Sequence, residues 1–416
     1  MTKWWLQGTL VWGLLLVFSV KADEEPWPEP LTWTAVQAWF EKLPNDLIGL
    51  PVLDEAVTVW QAERLGIASE QAKQRGRVSL NTRFAQSLST PVVGNVSLVA
   101  EKPVEWSSMW VREQQQALLQ AADCRLIQKR QDYYLQLLEH YMAVLLADLE
   151  QSWAVEVMAM HYVRLSRERD NQQEGRSNRT LVLQREVAYE TAKIDNRQRQ
   201  GQQQLTRLSL ARLLNRVDYP PDQLLALKMP LQTIPELELL TSNAAQFNPE
   251  LYMVRQRAKA AELAYRIGHG FWSEGSVLRT ELTQTGEDET TWSLKWSVPL
   301  WQPERTVKQQ QLVLQQKQQR LTLQLQQQKL REELVSLRLS LDHLHQRYKL
   351  SQSRLLYLEA VLDDNRARYE LEMSSQLGDS LINLSKAQWQ SRKTLYELLL
   401  TQEKLRILVG EGLCGE

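Results

Sequence analysis

The residues that could do chemistry are few, and their spacing suits none of the usual kinds. There are five histidines, His140, His161, His269, His343 and His345. His343 and His345 are two apart, so on a helix they face different sides and would not share a metal ion. Carboxylates are plentiful but fall in runs such as Arg331-Glu332-Glu333. These read as solvated helix faces, not as an acid and a base poised over one substrate. No phosphate-binding glycine loop, HExxH, nucleophile elbow or CxxC occurs. No enzyme activity is expected, and no catalytic, cofactor-binding or metal-binding residue is assigned. Cys124 and Cys414 are too few for a disulfide framework. One bridge in an oxidising compartment and two separate thiols both remain open, with separate thiols the preferred reading.

What positions these residues is a duplicated unit. Pro51–Ser87 aligns without a gap on Pro249–Thr285, setting Leu53 on Leu251, Ala62 on Ala260, Leu80 on Leu278 and Thr82 on Thr280. Slightly later, Ser97–Val104 matches Ser293–Leu300. A long stretch without glycine or proline follows each copy, Val104–Glu174 and then Glu304–Leu377. Each copy therefore reads as a short helix, two strands and a very long helix that turns back. The expected divisions are a signal at 1–22, a linking segment at 23–50, repeat one at 51–218, a proline-rich link at 219–248, repeat two at 249–410 and a tail at 411–416. Strands are expected at about 78–102 and about 276–298, and helical hairpins at about 104–215 and about 304–409.

The formal charge of -1 gives no basic excess for nucleic acid, so no nucleic-acid partner is expected. Lys3, an apolar run from Leu10 to Val20 and the small-x-small site Val20-Lys21-Ala22 lay out a secretory signal. Beyond it no apolar run is long enough for a membrane helix. Entry into a bilayer would require a closed β-barrel, the other structure that satisfies every backbone group in lipid. The strand candidates suit one. Leu278, Thr280 and Leu282 alternate with Arg279, Glu281 and Thr283, and Trp292, Leu294, Trp296 and Val298 alternate with Ser293, Lys295 and Ser297. In the first copy Val78, Leu80, Thr82 and Phe84 alternate with Ser79, Asn81, Arg83 and Ala85. Period-two alternation gives one apolar and one polar face, which makes Arg83, Arg279, Glu281 and Lys295 candidates for a water-filled barrel interior. About four strands per chain cannot close a barrel, since single-chain barrels begin at about eight. A small soluble sheet and strands pooled among copies both remain open.

A run of about 70 helical residues spans roughly 100 Å. Leu330, Leu334, Leu337, Leu341, Leu344, Tyr348, Leu355, Leu358, Leu362 and Tyr369 step by threes and fours, a seam for packing along the whole second helix. The returns are placed at Glu174-Gly175-Arg176-Ser177 and near Leu371-Glu372-Met373-Ser374-Ser375, with Gly410 as the final C-cap.

Three segments resemble the TolC-type outer-membrane efflux proteins. They are FNPELYMVRQRAKAAELAYRIG opening repeat two, WSLKWSVPLW in its second strand and RYELEMSSQLGDSLINLSKAQ at its helical turn. The resemblance implies a mainly α fold with a small β part: a homotrimer with a shared twelve-stranded outer-membrane barrel and a hollow helical tunnel. It implies a passive exit duct in the outer membrane of a Gram-negative bacterium, in contact with outer-membrane lipid. The implied partners are a periplasmic adaptor and an inner-membrane transporter. It also implies adaptor docking at the turns, here Glu174, Gly175, Arg176 and Ser177, and Glu372, Met373, Ser374 and Ser375. Tyr369 and Asp379 are candidates for a gate at the tunnel tip. Drugs, metal ions and unfolded proteins are all open as cargo. The competing expectation is a secreted, soluble coiled-coil rod with structural or interaction duties.

Overall fold

The computed structural model of the chain describes residues 30–43, 50–87, 90–103, 108–216, 220–233, 235–269, 277–285, 289–297, 303–370 and 377–410. The expected signal, Glu372–Ser375, Cys414 and the tail lie outside the described residues.

Both repeats form the same unit. In the first, α2 (Pro51–Arg75) leads into β1 (Arg77–Ser87), β2 (Thr90–Pro103) and then α3 (Ser108–Gln173) and α4 (Arg179–Leu213). In the second, α6 (Pro249–His269) leads into β3 (Val277–Thr285), β4 (Glu289–Ser297), α7 (Pro303–Glu370) and α8 (Leu377–Val409). At 66 and 68 residues, α3 and α7 are each roughly 100 Å long. Two short helices lie in the segments read as links: α1 (Trp33–Lys42) and α5 (Leu237–Phe247). Both are too short for a long periodic signal, and their stability comes from docking.

The strands form one antiparallel sheet in the order β1-β2-β3-β4, so the β2–β3 pairing joins the repeats side by side. The helices follow the same order. Beside α3 lie α2 and α4 on one flank and α6 and α8 on the other, and α7 lies beyond these. Near the sheet, Trp60 of α2 donates to Asp123 of α3 at 2.8 Å, and Lys259 of α6 pairs with Glu113 of α3 at 3.0 Å. Farther down, Arg207 of α4 holds Asp148 of α3 at 2.8 Å.

The core lies midway, where the two connecting segments cross the helices. Leu31 bridges to Leu224, and Trp33, Val36 and Phe40 of α1 pack on Tyr133, Tyr134 and Tyr141 of α3. Tyr141 is fully buried, and burial pushes its phenol up to about 12, so it stays a neutral donor. Its hydroxyl lies 3.0 Å from the Leu31 carbonyl and 2.7 Å from the Leu225 carbonyl. A second cluster joins Leu240 and Ala244 of α5 to Leu330, Leu334, Leu341 and Leu344 of α7. These four leucines are the buried part of the seam expected from spacing. Asn248 caps α6 through Leu251 N at 2.8 Å and donates to the Leu408 carbonyl at 2.7 Å. Gly410 ends α8 at φ +78, where a side chain would collide with the Phe247 carbonyl.

The cysteine expectation needs correcting. Cys124 is buried on α3 and is disulfide-bonded, not a separate thiol. Sequence spacing carries no information on which residues the fold brings together across such distances, and geometry decides a bridge.

Candidate functional site: an uncovered sheet, two open edges and a helical tip

The sheet register sets the candidate interior residues in rows. Arg77, Glu101, Arg279 and Lys295 are consecutive cross-strand neighbours, and Glu281 lies opposite Val99 and Ser293. Glu101 accepts from Arg77 at 2.8 Å and lies 3.4 Å from Arg279, which also lies 3.4 Å from Glu281. Arg83 is in register with Asn95, while its side chain lies outside the described residues. Arg279, Glu281 and Lys295 thus share one face of the sheet, as alternation predicts. Val99 is a buried apolar interruption on that face.

The opposite face carries Val78, Leu80, Val96, Leu98, Leu282, Trp292, Leu294 and Trp296, and all of them are exposed. Trp292 keeps 65% of its surface and Leu80 keeps 64%. A soluble sheet would cover such a face with a helix or a second sheet; among the described residues nothing packs over it. The strands run 11, 14, 9 and 9 residues, which meets the 9 to 11 or so needed to cross hydrocarbon at a tilt.

The helices leave apolar stripes at both flanks of the molecule. Along α7, Val307, Leu314, Leu321, Leu325, Leu339, Leu350 and Tyr357 are all exposed and recur at steps of four, seven, eleven or fourteen residues, which keep to one side of a helix. Along α4, Leu183, Val187, Ile194, Leu205 and Leu208 do the same, at steps of three, four, seven or eleven. The sequence reading missed these stripes because the stronger leucine seam on α7 drew the assignment. The seven-residue spacing of Val307, Leu314 and Leu321 was the available signal.

At the far end, Gly175 turns the first hairpin at φ +75, and Asn178 caps α4 by accepting from Leu181 N at 2.9 Å. Glu174 pairs with Arg176 at 3.1 Å, and Ser177 donates to Glu168. Asp379, near the start of α8, accepts from Arg164 of α3 at 2.5 Å. One residue on, Ser380 accepts from buried Asn365 of α7 at 2.6 Å. Tyr369 is half exposed at the end of α7 and, among the described residues, shares no hydrogen bond with Asp379. The geometry therefore places Asp379, but not Tyr369, in a bond that spans two hairpins.

No family model and no curated protein matches the chain. Solved structures do. The chain is similar to CusC, described for the conformational changes that accompany folding and transmembrane channel formation, at 15% identity and TM-score 0.70, covering 91% of this chain and 92% of that one. It is similar to the outer membrane channel CmeC of Campylobacter jejuni at 12% identity and TM-score 0.72, covering 90% and 86%. It is also similar to the outer membrane protein VceC of Vibrio cholerae at 13% identity and TM-score 0.67, covering 92% and 98%. At these identities the likeness is one of fold. The chain has the fold of TolC-type outer-membrane channel proteins.

Proposed function

We propose that this chain forms, as a ring of three copies, a passive exit duct across the outer membrane of a Gram-negative envelope. One observation carries the reading: the sheet and the helical layer are a single ribbon with the same two open edges. At one edge β4 continues into α7; at the other, α2 leads into β1, with α4 below. Edge strands with free backbone groups demand a partner, and exposed apolar stripes along helices demand the same. The edges differ, so the contact between copies is head-to-tail, and such a contact closes into a ring when each copy is turned by a whole fraction of a full rotation, here a third. Three copies pool twelve strands, enough for a barrel whose lipid face is the uncovered apolar one. Arg83, Arg279, Glu281 and Lys295 then line water.

In this reading α3 and α7 cross the periplasm. The turns at Glu174–Ser177 and Glu372–Ser375 meet a periplasmic adaptor, which links the duct to an inner-membrane transporter. The duct itself supplies no energy. Membrane fractionation and mass measurement in mild detergent test the reading together. The expected result is co-fractionation with the outer membrane as a trimer. A stable monomer recovered in the soluble fraction would overturn it and favour the secreted coiled-coil rod.

A further inference from the structure

We infer that the tunnel wall holds a groove for organic anions with an aromatic or other flat apolar body, between α7 and α8. The inference rests on the ring reading above.

The groove has a volume of about 400 Å³ and is lined by Arg347 and Arg354 of α7 and by Trp389, Gln390, Lys393 and Glu397 of α8. That volume is in the range of small-molecule sites. Three cations face one carboxylate, and among the described residues none of the three is ion-paired. Arg354 donates to the Gln390 amide oxygen at 3.4 Å, and the Lys393 ammonium lies 5.3 Å from the Trp389 ring. One heptad earlier, the Lys386 ammonium lies 5.7 Å from the ring of Trp153. The two indoles stack at 6.4 Å, with 24° between their planes. An aromatic floor thus runs from α3 to α8 with a cation at each end.

Helical phase sets the side on which the groove opens. Lys393 and Gln402 are nine residues apart on α8, about half a turn out of phase. Gln402 donates to the Gln232 carbonyl at 3.0 Å and lines a cleft with Leu239 and Leu240 at α5. The groove therefore opens on the side of the layer opposite α5 and the 220–233 segment. Twelve helices about 10 Å apart make a ring roughly 38 Å across. Three copies of those connecting segments would fill such a bore, so they lie outside and the groove faces inward.

Toward the sheet the same wall changes sign. A cleft of about 680 Å³ there presents Asp132, Glu250, Glu332 and Glu333 against Lys329 and Lys404. The excess of cations over carboxylates belongs to the groove nearer the tip, where cargo enters in this reading, while the cleft toward the sheet carries more carboxylates than cations. Like charges in a confined bore with low-dielectric walls concentrate counter-ions. Guanidinium groups match carboxylate, sulfonate and phosphate with paired donors, and an indole accepts a flat apolar body.

The test uses the full chain in planar bilayers, with naphthalene-1,5-disulfonate and a naphthyl-trimethylammonium salt as soluble blockers. The disulfonate should reduce conductance, and R347Q/R354Q/K393Q should weaken that block roughly tenfold. The ammonium salt should leave both proteins open. All three side chains are exposed, so the variant should assemble as the parent does, checked by mass. Equal block by the cation, or unchanged block in the triple variant, overturns the groove while leaving the duct intact. A parent chain that forms no conducting pore overturns the duct reading itself.

Discussion

Arg164 on α3 and Asp379 on α8 meet at 2.5 Å and tie the first helical hairpin to the second near their free ends. Beside them the packing is close: a side chain at Gly378 would run into the methyl end of Met160 on α3. The aspartate is 56% exposed, so the pair itself contributes little to global stability, on the order of 1 kcal/mol or less. Its effect should instead be local, on how far the two hairpins separate.

Reversing one partner of this pair should let the two hairpins separate more at the tip. D379R is expected to raise single-pore conductance without changing the amount of assembled protein. The double variant R164D/D379R should return conductance toward the parent. Equal conductance in all three proteins would show that the pair does not hold the tip.

The two sheet faces should differ in their access to water. Single cysteines at Arg279, Glu281 or Lys295 in membranes should react with a small charged thiol reagent, and cysteines at Leu278 or Leu294 should resist it. The register places Leu278 opposite Trp296 and Thr280 opposite Leu294, on the uncovered face. A reversed labelling pattern would mean that the apolar face is not the lipid face.

Assembly should depend on the exposed stripes and folding on the buried seam. L339E/L350E on α7, or V187E/I194E on α4, should yield folded monomers by mass with helical content unchanged. L341A, at a position 1% exposed, should cost about 2–5 kcal/mol of stability from lost burial and cavity formation. If the stripe variants remain trimeric, the copies must join through other surfaces.

Acid should destabilise the helical part through two histidines. Burial lowers the pKa of His140 and of His161, and Arg164 and Arg185 push His161 further in that direction. A lowered folded-state pKa means the neutral form is preferred on folding. Stability is then full above the unfolded value of about 6.5 and falls as pH drops below it. The midpoint temperature should be lower at pH 5.5 than at pH 7.5, and H140Q/H161Q should shrink that difference. An unchanged difference would place the acid sensitivity elsewhere.

Much of the architecture was legible in the residues because it is written in periodicity. Alternation over 278–282 and 292–296 predicts the strands and their faces, and the register confirms which residues share a face. The leucine seam predicts the buried side of α7. Gly175 and Gly410 mark helix ends by the positive φ that only glycine adopts without strain. Duplication predicts that the two halves form like units.

Tertiary structure decided the rest, because it depends on partners distant in the chain. The helix α5, in the link between the repeats, is too short to announce itself and is held by Leu334 and Leu341 of α7, distant in the chain. The bond between Arg164 and Asp379 joins residues that no local pattern relates. The sheet order shows that the repeats lie side by side and leave β1 and β4 as edges. Period alone could not tell a stripe packed within the chain, such as Leu330–Leu344, from a stripe left bare, such as Leu314–Leu325. Both carry the same spacing, and only the docking of α5, α6 and α8 against one side of α7 separates covered from uncovered. Periodicity fixes which residues share a face; burial of that face is set by what the rest of the chain brings to it.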